Sequence, residues 1–113
     1  MTSPTNAESL VFYQLLKDDA QKELDYWQKQ AASQERATNL LNFGALINGH
    51  DDNIKRLKQQ AADRGENILD GIKSFVEKIE GWIQVFGSAL PKEVKEWLTK
   101  LINAAKKLLE NLK

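Results

Sequence analysis

One apolar stripe limits what this chain can become. From Ile54 to Phe86, every third or fourth position is apolar or small: Ile54, Leu57, Ala61, Gly65, Ile68, Ile72, Phe75, Ile79, Trp82 and Phe86. The mean spacing of about 3.6 residues is that of one face of an α-helix. Alternation along a β-strand fits poorly, because polar pairs such as Lys58-Gln59 and Glu66-Asn67 break it. A helix of this length is about 50 Å long at 1.5 Å per residue. Its other faces are polar, so the stripe needs cover from another element.

The rest of the chain offers that cover. Thr5-Asn6-Ala7-Glu8 has the form of a capping box, in which the hydroxyl and the carboxylate satisfy backbone N–H groups at a helix start. Val11, Leu15, Ala20, Leu24, Trp27 and Ala31 follow at helical spacing. This first helix either runs unbroken to Ile47 or kinks in the polar interval Ser33–Arg36. Asn48-Gly49-His50-Asp51-Asp52 reads as the turn that ends it, with Asn48 or Gly49 closing one helix and Asp51 or Asp52 capping the next. A connection so short joins antiparallel neighbours. Gly65 lies on the stripe, and because the stripe stays in phase across it, the second helix is read as continuous. Gly87-Ser88-Ala89-Leu90-Pro91 marks the next break, and Pro91 suits a first helical turn. A third helix then shows Val94, Trp97, Leu98, Leu101, Ala105, Leu108 and Leu112 on one side.

The expected fold is therefore all-α and a single domain. A long antiparallel helical hairpin (helices over about 6–47 and 52–86) is joined by a shorter third helix (91–112), making a three-helix bundle. The third helix reaches only part-way along the hairpin. It should close the end where Phe12, Tyr13, Trp27, Phe75, Trp82, Phe86 and Trp97 map, leaving residues 31–65 thinly covered. That half is expected to be completed by a partner, most simply by a second copy.

Composition narrows the function classes. The 113 residues contain no cysteine, which removes disulfides, thiolate metal sites and cysteine nucleophiles. Sixteen basic residues balance sixteen acidic ones, so no net charge draws the chain to nucleic acid. The polar start, Met1 to Glu8, has no basic and apolar segments of a secretory signal. A cytoplasmic protein is the expectation.

No constellation of catalytic residues stands out, and the chain is read as a non-enzyme without metal or cofactor. His50, beside Asp51 and Asp52, has the chemistry of a metal ligand or general base. It lacks the further ligands such a site needs, so a turn residue is the better reading. Asp18, Asp19, Glu23 and Asp25 cluster on the first helix without the Glu-x-x-His pairs of a bundle metal site, which favours a solvated face.

The run from Leu40 to Ile47 is the most informative irregularity. One helix face cannot bury Leu40, Leu41, Phe43, Leu46 and Ile47 together. The plain reading is a hairpin end tucked against itself. The functional reading is a partner-binding tip, continued along the seam by Ile54 and Leu57. A second functional class is a membrane-active bundle that uses this tip or the basic third helix. Residues 90–113 hold 6 basic and 3 acidic side chains (net +3), and Trp97, Lys100, Lys106 and Lys107 would face the lipid. Packing of that helix on the bundle is the plainer alternative. The leading expectation is a helical module for protein interaction and self-association, acting as an adaptor, regulatory or assembly subunit.

Overall fold

The computed structural model describes residues 5–112; the polar lead-in at residues 1–4 and Lys113 lie outside the described residues. The described chain is helical throughout its elements, with four helices: α1 (Asn6–Gln28), α2 (Gln34–Asp63), α3 (Ile68–Phe86) and α4 (Lys92–Leu112). The all-α class expected from periodicity is observed. The count is four helices, not three, because two of the expected boundaries lie elsewhere.

The predicted turn at Asn48–Asp52 is not a turn. All five residues are helical and lie inside α2. The first break comes earlier, at residues 29–33. Ser33 caps α2, its Oγ accepting from the Arg36 N–H at 3.0 Å. The Arg36 side chain turns back and donates through Nε to the Trp27 carbonyl at 3.0 Å and through Nη2 to that of Gln28 at 3.3 Å. One arginine thus binds two carbonyls at the end of α1; that of Trp27 also accepts from the Gln30 N–H at 3.2 Å. The break lies at the edge of the polar interval Ser33–Arg36, where a kink was one of the two expected outcomes.

The predicted continuity through Gly65 also fails. Gly65 has φ of +68°, the left-handed region that favours glycine. Its N–H bonds the Ala62 carbonyl, and the Glu66 N–H reaches back to the Ala61 carbonyl at 2.9 Å. These paired bonds form a Schellman helix stop. Asn67 then caps α3, its Oδ1 accepting from the Asp70 N–H at 3.1 Å. At the other end of the chain, Thr5 caps α1 as expected, accepting from the Glu8 N–H at 3.2 Å.

The core forms around the first two-thirds of α1. That helix touches all three others, α3 and α4 touch each other, and α2 has little contact beyond α1. Leu10, Val11 and Leu15 of α1 pack with Ile54 and Leu57 of α2, Ile72 and Ile79 of α3, and Leu98, Leu101, Ala105 and Leu108 of α4. The close approach of α1 to α3 occurs at Ala7 and Gly71, where the glycine leaves no side chain between the helices. Around this core, Phe12 lies between Phe75 (ring centroids 6.4 Å apart) and Trp97 (6.1 Å). Trp27 does not join the aromatic group expected at this end. It lies at the far end of α1, edge-on to Tyr26 at 5.3 Å.

Beyond the core, α1 and α2 continue as a two-helix arm. Ala20 is the last buried residue of α1 and Ile54 the first buried residue of α2, so none of residues 21–53 is buried. The hairpin therefore pairs α1 with α2, not residues 6–47 with 52–86 as expected, and its thin end is the end near the 29–33 turn.

Candidate functional site

The Leu40–Ile47 run lies within this arm, not at a hairpin tip. Helical geometry divides its five large apolar residues. Leu40, Phe43 and Ile47 fall on the stripe that continues through Ile54, Leu57 and Ala61, and they are half-buried. Leu41, 74% exposed, and Leu46, 48% exposed, point away from that stripe. Tyr26 of α1 is also exposed on the arm. Ile54 and Leu57, expected on the partner-binding seam, are instead interior: both belong to the core cluster and present no surface to a partner. Their burial follows from the shifted turn, which brings this part of α2 alongside the first half of α1.

Beside Leu46 the outer face of α2 carries a shallow, open groove bordered by Asn42, Ala45, Leu46, Gly49, His50 and Asn53. His50 is not a turn residue. It sits inside the helix with its ring 6.1 Å from that of Tyr13. Among the described residues, no three metal-ligating side chains come together.

The junction of arm and core is held by charge. Lys17 Nζ of α1 lies 2.9 Å from Asp51 Oδ1 of α2, and Lys55 Nζ approaches the other oxygen at 3.7 Å. The hydrogen bond from Lys17 holds the Asp51 carboxyl below the usual carboxylate range; burial opposes it, and the charges of Lys17 and Lys55 add to the lowering. A carboxyl whose folded pKa is depressed stabilises the fold above its unfolded pKa, near 3.9. That contribution disappears as pH falls through the folded value. With about a third of each side chain exposed, the Lys17–Asp51 pair is worth at most about 1 kcal/mol. Asp51→Asn should therefore be less stable than wild type at neutral pH and equal to it in strong acid, as read from urea midpoints across pH.

Two carboxylates of the acidic cluster on α1, Asp18 and Asp19, pair with α4; Glu23 and Asp25 are exposed. Asp18 receives Lys107 Nζ and buried Gln14 Nε2, at 2.9 and 2.8 Å. Asp19 pairs with Lys100 at 3.8 Å, and Asp25 accepts from Gln21. Two of the α4 lysines read as lipid-facing, Lys100 and Lys107, thus pair with α1 carboxylates, and both, like Lys106, are exposed.

Apolar residues are also exposed near the elbow between α3 and α4, and of these only Trp97 was expected at a surface. The stripe along α3 is fully buried at Ile72 and Ile79, yet Trp82 is 45% and Phe86 54% exposed. Val85, Val94 and Trp97 are exposed on the same elbow. The stripe extends past its cover, and its periodicity alone carries no sign of where cover ends.

Among the described residues, no helix is long and apolar enough to cross a membrane. Comparison of the chain with protein-family models, curated proteins and solved structures finds no match.

Proposed function

We propose that this protein is a non-catalytic interaction and self-association module whose working surface is the α1–α2 arm. One observation supports this above the others: residues 21–53, two helices lying side by side, contain no buried side chain. Isolated helices of this size are marginal, and helical stability in proteins comes mainly from packing of an apolar face. Leu40, Phe43 and Ile47 are only half-covered, and Leu41 and Leu46 are exposed beside them. A partner laid on the arm removes this surface from water and gives the hairpin the third element it lacks. The protein would then serve as an adaptor, regulatory or assembly subunit.

Amide hydrogen exchange tests this. In the dilute chain, amides of residues 36–50 should exchange through local opening, well before those around Leu10, Ile72 and Leu101. Arm amides as protected as the core would mean that the hairpin needs no cover, and the reading fails.

A second reading rests on the elbow. Trp82, Val85, Phe86, Val94 and Trp97 form the kind of aromatic-rich apolar edge that enters the interfacial region of a bilayer. On that reading the chain floats with anionic vesicles at low salt, and Trp82→Ser combined with Phe86→Ser abolishes flotation. Failure of the wild-type chain to float removes it.

A further inference from the structure

Resting on the reading of the arm as an uncovered surface, we propose that its occupant is a second copy of this chain, laid antiparallel along α2 across the groove at Ala45 and Gly49. The groove is lined by α2 alone. A Cβ built on Gly49 would meet nothing within 4 Å, so packing inside this chain does not call for a glycine there. Glycine nonetheless costs a helix interior about 1 kcal/mol relative to alanine. A helix from outside, approaching closely over Ala45 and Gly49, makes use of the missing side chain.

Charge selects the occupant. The groove belongs to a stripe at helical spacing that begins at Glu35, passes Asn42, Ala45, Leu46 and Gly49, and ends at Arg56. Glu35 and Arg56 are both exposed, and neither forms an ion pair among the described residues. Arg56 donates only to Asn53 of its own helix, at 3.0 Å. The two charges stand equally far from the point midway between Ala45 and Leu46. A two-fold axis at that point sets Glu35 opposite the partner's Arg56, and Arg56 opposite the partner's Glu35. It also sets each Leu46 over the partner's Ala45, and each Asn42 over the partner's Gly49. A parallel pairing would instead place Glu35 against the partner's Glu35. An unrelated protein has no need of a stripe complementary to its own reversal. The arrangement is isologous and closes at two copies.

Sedimentation equilibrium of the full chain across a wide concentration range, at low and high salt, tests the proposal. The wild type should dimerise reversibly, more weakly at high salt. Glu35→Arg and Arg56→Glu should each weaken the dimer about tenfold or more, since each sets like charges opposite one another. The protein carrying both should recover, and Gly49→Leu should be monomeric with unchanged helix content. Recovery in the doubly swapped protein cannot come from helix stability, because Glu35 lies in the first turn of α2 and its reversal remains in place. A wild type that is monomeric throughout overturns the proposal. So does a dimer indifferent to the single reversals, or one that the double reversal does not restore. In each of those cases early exchange of the arm amides would still leave the arm as a surface for a different protein, so the interaction reading survives there even where self-association does not.

Discussion

Leu10→Ala lowers the stability of this protein by about 2–5 kcal/mol, while Leu41→Ala leaves it within about 0.5 kcal/mol. Leu10 is wholly buried on the one helix that touches the other three. Truncation removes the transfer free energy of the lost atoms and leaves a cavity between rigid helix backbones that collapse only in part. A domain of this size has a total stability of roughly 5–15 kcal/mol, so the loss is a large fraction of the whole. Leu41, three-quarters exposed on the arm, already meets water in the folded chain and loses little on truncation. Urea midpoints for the two variants, measured on the monomer, give the comparison. Similar losses at the two positions would mean that the arm is packed as tightly as the core. The proposed working surface would then have no basis.

The contrast between core and arm also shows what could be read from residues in order. Helical periodicity identified most of the chain that forms helix, because a 3.6-residue stripe is a property of local sequence, but not residues 48–51 inside α2. The ends were harder. Asn48, Gly49 and Asp51 each carry a helix penalty of about 1 kcal/mol or less. Continuing through them keeps Phe43 and Ile47 in phase with Ile54, Leu57 and Ala61, and burying a residue such as Ile54 or Leu57 is worth about 1.5–3 kcal/mol. Burial outweighs the turn signal. The actual turn, Lys29-Gln30-Ala31-Ala32-Ser33, has neither glycine nor proline. Its stop is the Arg36 side chain returning to Trp27 and Gln28, a contact that exists only once the chain has folded back. Gly65 misled for a geometric reason. The connection from Arg64 to Asn67 is four residues, close to one helical turn of 3.6, so the stripe resumes in α3 as if the helix had never stopped.

The same limit governs the surfaces. That Leu41 and Leu46 could not share a face with Leu40, Phe43 and Ile47 follows from helix geometry without any structure. That Ile54 and Leu57 lie inside, and that Trp82 and Phe86 lie outside, depends on where neighbouring helices end. Those two facts belong to tertiary structure, and both reverse an assignment made from the stripe.

Gly71→Ala should destabilise the protein although it improves a helix. Alanine is favoured over glycine in a helix interior by about 1 kcal/mol, and relieving glycine's unfolded-state entropy acts in the same direction. Against this, a Cβ at residue 71 would stand 2.8 Å from the Ala7 Cβ. Neither atom can turn away, since each is fixed to its backbone, so α1 and α3 must part where they are closest. Overpacking of this kind typically costs about 1–3 kcal/mol. The net expectation is a loss of about 1 kcal/mol. Gly81→Ala, nearly three turns further along the same helix, meets nothing within 4 Å and should gain about 0.5 kcal/mol. Ala7→Gly in the Gly71→Ala background should return most of the loss beyond what the two single changes predict, because the two sites share one contact. Thermal or urea unfolding of the wild type, Gly71→Ala, Gly81→Ala, Ala7→Gly and the double variant reads all of this. If Gly71→Ala gains stability as Gly81→Ala does, α1 and α3 separate without cost, and the core does not depend on their close approach.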